Sequence, residues 1–203
     1  MKIFTILTAI FFIHSLEAGE ALDRLKEGNK RYLANDLKLC YDIDKPRLAT
    51  VDKQKPFATI MGCSDSRVPP ELLFDQTIGD LFVVRTAGNV CGPIEQDSID
   101  YSVIHLGSKV ILVVGHENCG AVQAVMARQT AGIEAVAEQI APFLHETKPG
   151  SALTLEEAVK INIRHVMQEI AKSREVAQLL KEGKVEVAGA YYQASTGRVE
   201  FLE

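Results

Sequence analysis

The chain has 203 residues, 47% of them hydrophobic and 24% charged, with a formal net charge of -5. That length suits one domain with its own core, and the composition excludes a disordered chain. A net negative chain without a long basic run lacks the clustered Lys and Arg that nucleic-acid binding needs, so no nucleic-acid partner is expected.

Residues 1–18 read as a secretory signal peptide. Lys2 precedes the apolar run 3–13, which is too short to span a bilayer, and His14, Ser15 and the small Ala18 follow. Cleavage after Ala18 or after Ser15 both fit, since Leu16 is bulkier than the small residue usual two before the cut; a buried N-terminal strand is the alternative. The expected product is a single domain, 19–203, exported, periplasmic in a Gram-negative cell, and without a stable membrane anchor. N-terminal sequencing of natively expressed protein should give a start near Gly19; an intact Met1 in the cytosol would refute export.

Leu22, Leu25, Tyr32 and Leu33 recur at helical spacing, interrupted by Gly28-Asn29, which predicts one helix or two short ones over 20–33. This narrow stripe can dock on its own domain or on a neighbouring subunit. The polar stretch 44–55, with Pro46 and a following Pro56, predicts an extended loop. The apolar run 57–61 reads as a buried strand, and Pro69-Pro70-Glu71-Leu72-Leu73-Phe74 as a short helix with proline at its start. A second strand is expected over 81–85, a helix over 97–106 and a third strand over 110–114, followed at once by a helix carrying Val122, Val125 and Met126 on one face. Helical patterns cover 133–145 and 155–181, a fourth strand covers 185–192, and a turn at 195–197 leads into a last strand, 198–202. Strands alternating with helices predict an α/β fold: a mostly parallel central sheet of about four strands, helices on both faces, and an antiparallel edge strand from the closing hairpin.

Chemistry gathers where parallel strands end. The first strand ends in Cys63-Ser64-Asp65-Ser66-Arg67, a thiol, a carboxylate and a guanidinium within five residues. Alone, Cys63 reads as packing. The third strand runs into Gly115-His116-Glu117-Asn118-Cys119-Gly120, where His116 and Cys119 stand three apart in a strand-to-helix turn. Neighbouring parallel strands bring their ends together, so Cys63 can join them. Two thiolates and an imidazole suit Zn²⁺ and leave one tetrahedral position open, the pattern of a catalytic site. Cys119 also precedes a helix, whose N-terminus favours the thiolate.

These residues resemble the β-class carbonic anhydrases over most of the mature chain. Cys63-Ser64-Asp65-Ser66-Arg67 is similar to that family's first zinc-ligand motif and His116-x-x-Cys119-Gly120 to its second. Phe82-Val83-Val84-Arg85-Thr86-Ala87-Gly88-Asn89 resembles its second strand and pocket segment, and Asp100-Tyr101-Ser102-Val103-Ile104-His105 the helix after it. The resemblance implies zinc-dependent, reversible hydration of carbon dioxide to bicarbonate and a proton, by one Zn²⁺ per subunit held on Cys63, His116 and Cys119. It implies Asp65 and Arg67 as the catalytic pair, with Asp65 accepting a hydrogen bond from the reacting water and Arg67 keeping that carboxylate ionised and off the metal. It implies Gln54 and the Gly120 N–H as donors to substrate oxygens, Phe82, Ala87 and Tyr101 as walls of an apolar CO₂ pocket, and assembly as a homodimer or a dimer of dimers with pocket walls crossing the interface. In some relatives the matched Asp swings onto zinc and closes the site; they commonly carry a tryptophan in a bicarbonate-binding cluster, and with no Trp in this chain the open form is expected.

His105 follows Tyr101 by four residues on one helix face and matches a position proposed to relay protons; a satisfied core histidine is the other reading. His145 and His165 are expected to be solvated or capping. Cys40 and Cys91 match no ligand position and read as free buried thiols, although an oxidising compartment would permit a disulfide. Two other functions compete with the hydratase: a zinc protein without turnover, and a relative acting on carbon disulfide or carbonyl sulfide.

Overall fold

The computed structural model describes residues 17–38, 43–144 and 153–202. The apolar runs form five strands, β1 (Ala58–Cys63), β2 (Leu81–Thr86), β3 (Val110–His116), β4 (Glu186–Tyr192) and β5 (Val199–Leu202), in the order β2-β1-β3-β4-β5. The first four are parallel and β5 runs antiparallel to β4. β1 and β3 are buried along their whole length, as strands covered on both faces must be.

Alternation along the strands divides the core in two. Met61, Cys63, Ile111, Val113 and Tyr191 face one layer of helices: α4 (Pro93–Tyr101), α5 (Gly120–Met126), α6 (Glu134–Leu144), α7 (Leu155–Lys172) and α8 (Arg174–Lys181). Ile60, Leu112, Val114 and Ala190 face α1 (Ala18–Leu33) and α3 (Pro70–Leu73).

α1 is one helix, and Gly28-Asn29 is its docking point rather than a break. A Cβ at Gly28 would stand 1.7 Å from the Phe74 carbonyl oxygen, so only glycine permits this approach. Asn29 Nδ2 donates to the carbonyls of Leu73 (3.1 Å) and Gly197 (3.2 Å), and its Oδ1 accepts from the Val199 N–H at 3.0 Å. Leu22 and Leu25 are buried in the domain's own core, whereas Leu33 at the end of the stripe is 47% exposed.

Three boundaries differ from expectation. Residues Asp44–Ala49 form a short helix, α2, where a loop was expected; Pro46 lies in the first turn, where no intrahelical N–H is required. The helical pattern at 97–106 starts earlier, at Pro93, and finishes in a π-helical turn, Ser102–Leu106. The pattern at 155–181 is two helices, parted where Ser173 turns extended and its hydroxyl accepts from the Val176 N–H at 3.3 Å. Among the described residues no helix is long and apolar enough to cross a membrane. The signal-peptide reading falls almost wholly on residues 1–16, and Cys40 and His145 also lie outside the described residues.

Candidate metal centre

Register brings the site together. Gly62 of β1 pairs with Val114 of β3, so Cys63 ends one strand beside His116 at the end of the next. Cys119 then takes the N-cap position of α5. One ligand atom from each of Cys63, His116 and Cys119 lies within 4.8 Å of the others, and all three residues are buried. The Glu117 carbonyl, 2.9 Å from His116 Nδ1, fixes the tautomer that carries the proton there. Nε2 is left buried without a hydrogen-bond partner, the atom a metal would claim.

A hydrogen bond from Cys119, opposed by burial and helped by the backbone N–H groups of Asp65 and Gly88, holds the Cys63 thiol well below its ordinary range. The same bond, with burial, pushes Cys119 up. Two buried sulfurs beside an unpartnered imidazole nitrogen are a donor set for a soft or borderline divalent cation, and S₂N with an open position suits Zn²⁺.

Asp65 faces this cluster from the loop after β1. Arg67 grips it with two side-chain bonds, Nε to Oδ1 at 2.9 Å and Nη2 to Oδ2 at 2.7 Å, and its backbone N–H reaches Oδ1 at 2.9 Å. The Arg67 side chain, opposed by burial, therefore holds the Asp65 carboxyl well below the usual carboxylate range. Asp65 Oδ2 stands 3.8 Å from His116 Nε2, turned to the site while tied to its arginine. Arg67 also donates from Nη2 to the Asn118 carbonyl at 3.2 Å, joining the two ligand loops.

Sequence reasoning missed the scaffold of the site. Arg85, in register with Gly62, donates to the carbonyls of Cys63 (2.9 Å) and Asp65 (2.7 Å) and clamps the loop between them. Its signal was a lone arginine ending the apolar run of β2. The Gly88 N–H, in a 3₁₀ turn at Ala87–Asn89, donates to Cys63 Sγ at 3.3 Å. Glu117 accepts from the Ser195 N–H at 2.8 Å, tying the His116 loop to the β4–β5 turn.

The other expected site residues fall into two groups. Ala87 and Gly120 are exposed and adjoin Gly88 and Cys119. Phe82, Tyr101 and His105 gather elsewhere: the Phe82 and Tyr101 rings are 6.2 Å apart and those of Tyr101 and His105 5.2 Å. Phe82 pairs with Thr59, four residues before Cys63, which puts it roughly 13 Å along the sheet from its own chain's ligands. Gln54 is exposed and precedes the start of β1, whereas Cys63 ends it. His105 is exposed, which removes the core-histidine reading. His165 is not solvated but buried, stacked on Phe143. Cys91 is a half-buried free thiol, pushed up to about 12 chiefly by burial.

The sequence model of the family described as carbonic anhydrase matches residues 58–199. Carbonic anhydrase 2 of Mycobacterium tuberculosis is 36% identical over 184 residues, covering 86% of this chain and 87% of that protein. Among solved structures, a β-carbonic anhydrase of the fungus Aspergillus fumigatus shares the fold with a TM-score of 0.72 and 24% identity over 90% of each chain. A β-carbonic anhydrase of Sordaria macrospora, described as tetrameric, aligns with a TM-score of 0.59 and 21% identity over 91% of this chain and 94% of that one. The matched span contains Cys63, His116, Cys119 and the Asp65–Arg67 pair, and the chain belongs to the β-carbonic anhydrase family.

Proposed function

We propose that the protein is a zinc enzyme that reversibly hydrates carbon dioxide to bicarbonate and a proton, with Cys63, His116 and Cys119 holding the metal. The observation that carries this reading is the buried, unpartnered His116 Nε2 set among two sulfurs, beside a carboxylate already engaged by its own arginine. When bound, zinc supplies a Lewis acid that makes water a nucleophile near neutral pH.

The chain's own residues supply orientation. Arg67 satisfies Asp65 on one side and keeps it charged, leaving carboxylate lone pairs to accept a hydrogen bond from the attacking water and aim its free lone pair at carbon. The N-terminus of α5, opening at Gly120, offers backbone N–H groups for developing negative charge on substrate oxygens. A zinc protein without turnover has no use for this pair, because a metal that only ties loops together needs no oriented carboxylate at an open position. Stopped-flow measurement of CO₂ hydration on zinc-loaded mature protein tests the assignment, with carbonyl sulfide and carbon disulfide as competing substrates; a zinc-loaded protein inert toward CO₂ refutes it.

Assembly follows from the position of the remaining pocket residues. Phe82 and Tyr101 lie on or against the edge strand β2, too far from their own metal centre to wall it. Tyr101 is 46% exposed, and Ile94 (77%) and Ile104 (48%) add apolar surface on the same helical segment. A second copy covering this face would hide that surface and carry Phe82, Tyr101 and Gln54 toward the partner's pocket, with His105 beside Tyr101 as its proton relay. A dimer or a dimer of dimers is the expected species; light scattering that shows a stable, fully active monomer contradicts it.

A further inference from the structure

The buried side of α7 is largely apolar, with Ala158, Val159, Ile163, Val166 and Ile170 all in the core, and Asn162, 1% exposed, is one of two polar residues there with His165. A carboxamide there must find partners or lose the hydrogen bonds it had in water. It finds one: Nδ2 donates to the Gly88 carbonyl at 2.8 Å, across 74 positions of sequence, while Oδ1 is buried with none. Leucine would fill a similar volume with no unpaired polar atom, so packing does not account for this amide. What it supplies is the bond to Gly88.

Gly88 is the residue whose N–H donates to Cys63 Sγ. Its φ is +68°, and a Cβ there would come 2.9 Å from Ile140 Cδ1, so the turn is shaped around bare backbone. Bare backbone is also free to rotate. With the carbonyl pinned by Asn162 on one side of the Cα, the N–H on the other stays aimed at the sulfur. A hydrogen bond to a ligating thiolate draws charge from sulfur, weakens its donation, and leaves the metal a stronger Lewis acid. Two thiolates otherwise cancel the charge of a divalent cation.

We propose that Asn162 is a positioning residue for the metal centre, which through Gly88 fixes the hydrogen bond that tunes the Cys63 thiolate. This rests on the zinc reading above and specifies how one ligand of that site is adjusted. Cobalt(II) is the probe, because its thiolate charge-transfer band reports the electron richness of sulfur. In N162L the band should move to lower energy, and zinc affinity, measured by competition with a chromophoric chelator, should fall about tenfold or more, because losing the support that holds the Gly88 turn and Cys63 in place outweighs the stronger donation of the freed thiolate. V166A, one turn along the same buried face, should lower thermal stability while leaving band and affinity unchanged. In unmodified protein loaded with cadmium-113, the Gly88 amide proton should show scalar coupling to the metal across the hydrogen bond. A wild-type band and affinity in N162L, or no coupling at Gly88, overturns the inference. A wild-type protein with no cobalt–thiolate band at all overturns the zinc reading instead.

Discussion

Cys63→Ser, His116→Ala and Cys119→Ser should each lose zinc and CO₂ hydration together while keeping the fold. Retention of the fold is expected because the two core layers, one against α1 and α3 and the other against α4–α8, meet across a sheet whose hydrogen bonds need no metal. Loss of zinc is expected because three side chains share the binding. If total zinc binding is on the order of 12 kcal/mol, removing one ligand of three forfeits about 4 kcal/mol, roughly a thousandfold in affinity. The serine variants are the sharper test, since they keep shape and polarity at 4% and 1% exposed positions and remove only the thiolate. Atomic absorption on dialysed protein, far-UV circular dichroism and turnover on the same preparation separate these effects. Full zinc occupancy with normal turnover in any one variant removes that residue from the ligand set.

The parts of this site that could be read from the residues are those whose chemistry is local. Cys63, Asp65 and Arg67 stand within five positions, and His116 and Cys119 within four, so spacing carried the candidate metal site, and the resemblance to the β-carbonic anhydrases the roles of Asp65 and Arg67. The parallel sheet was equally legible, because runs such as 110–114 are too short and too β-branched for anything but buried strand. What escaped were interactions that exist only once the sheet is assembled. Arg85 looked like the polar end of a strand until register placed it beside Gly62. Gly28-Asn29 looked like a helix break, since intrinsic propensity disfavours both residues; the close approach to Phe74 and the three hydrogen bonds of Asn29 override that preference. Asn162 was one polar residue in a long helical pattern, meaningful only when Gly88 arrived opposite it. His165, read as solvated or capping, is buried and stacked on the ring of Phe143.

Asp65→Asn separates catalysis from metal binding. Asp65 is outside the ligand cluster, so the variant should keep its zinc, yet CO₂ hydration should fall by about 10²–10⁴, the usual worth of a positioned acid–base group. The amide fills nearly the same space. It lacks the negative charge that makes Asp65 a strong acceptor, and it presents Arg67 with one oxygen and one N–H donor in place of the two oxygens now held at 2.9 and 2.7 Å. A fork of donors facing another donor cannot stay bidentate, so the amide should also turn and lose its alignment with the site. Arg67→Ala reaches a similar loss by another route. With its guanidinium partner gone, Asp65 retains only the backbone N–H of residue 67 and is free to approach the cluster, where its Oδ2 already stands 3.8 Å from His116 Nε2. In that variant the carboxylate should compete for the open coordination position, so turnover falls while zinc is held at least as firmly as before. The two substitutions thus give the same kinetic defect with different metal behaviour: unchanged affinity for Asp65→Asn, equal or tighter affinity for Arg67→Ala. Near wild-type turnover in Asp65→Asn would return the centre to a metal that only ties two loops together.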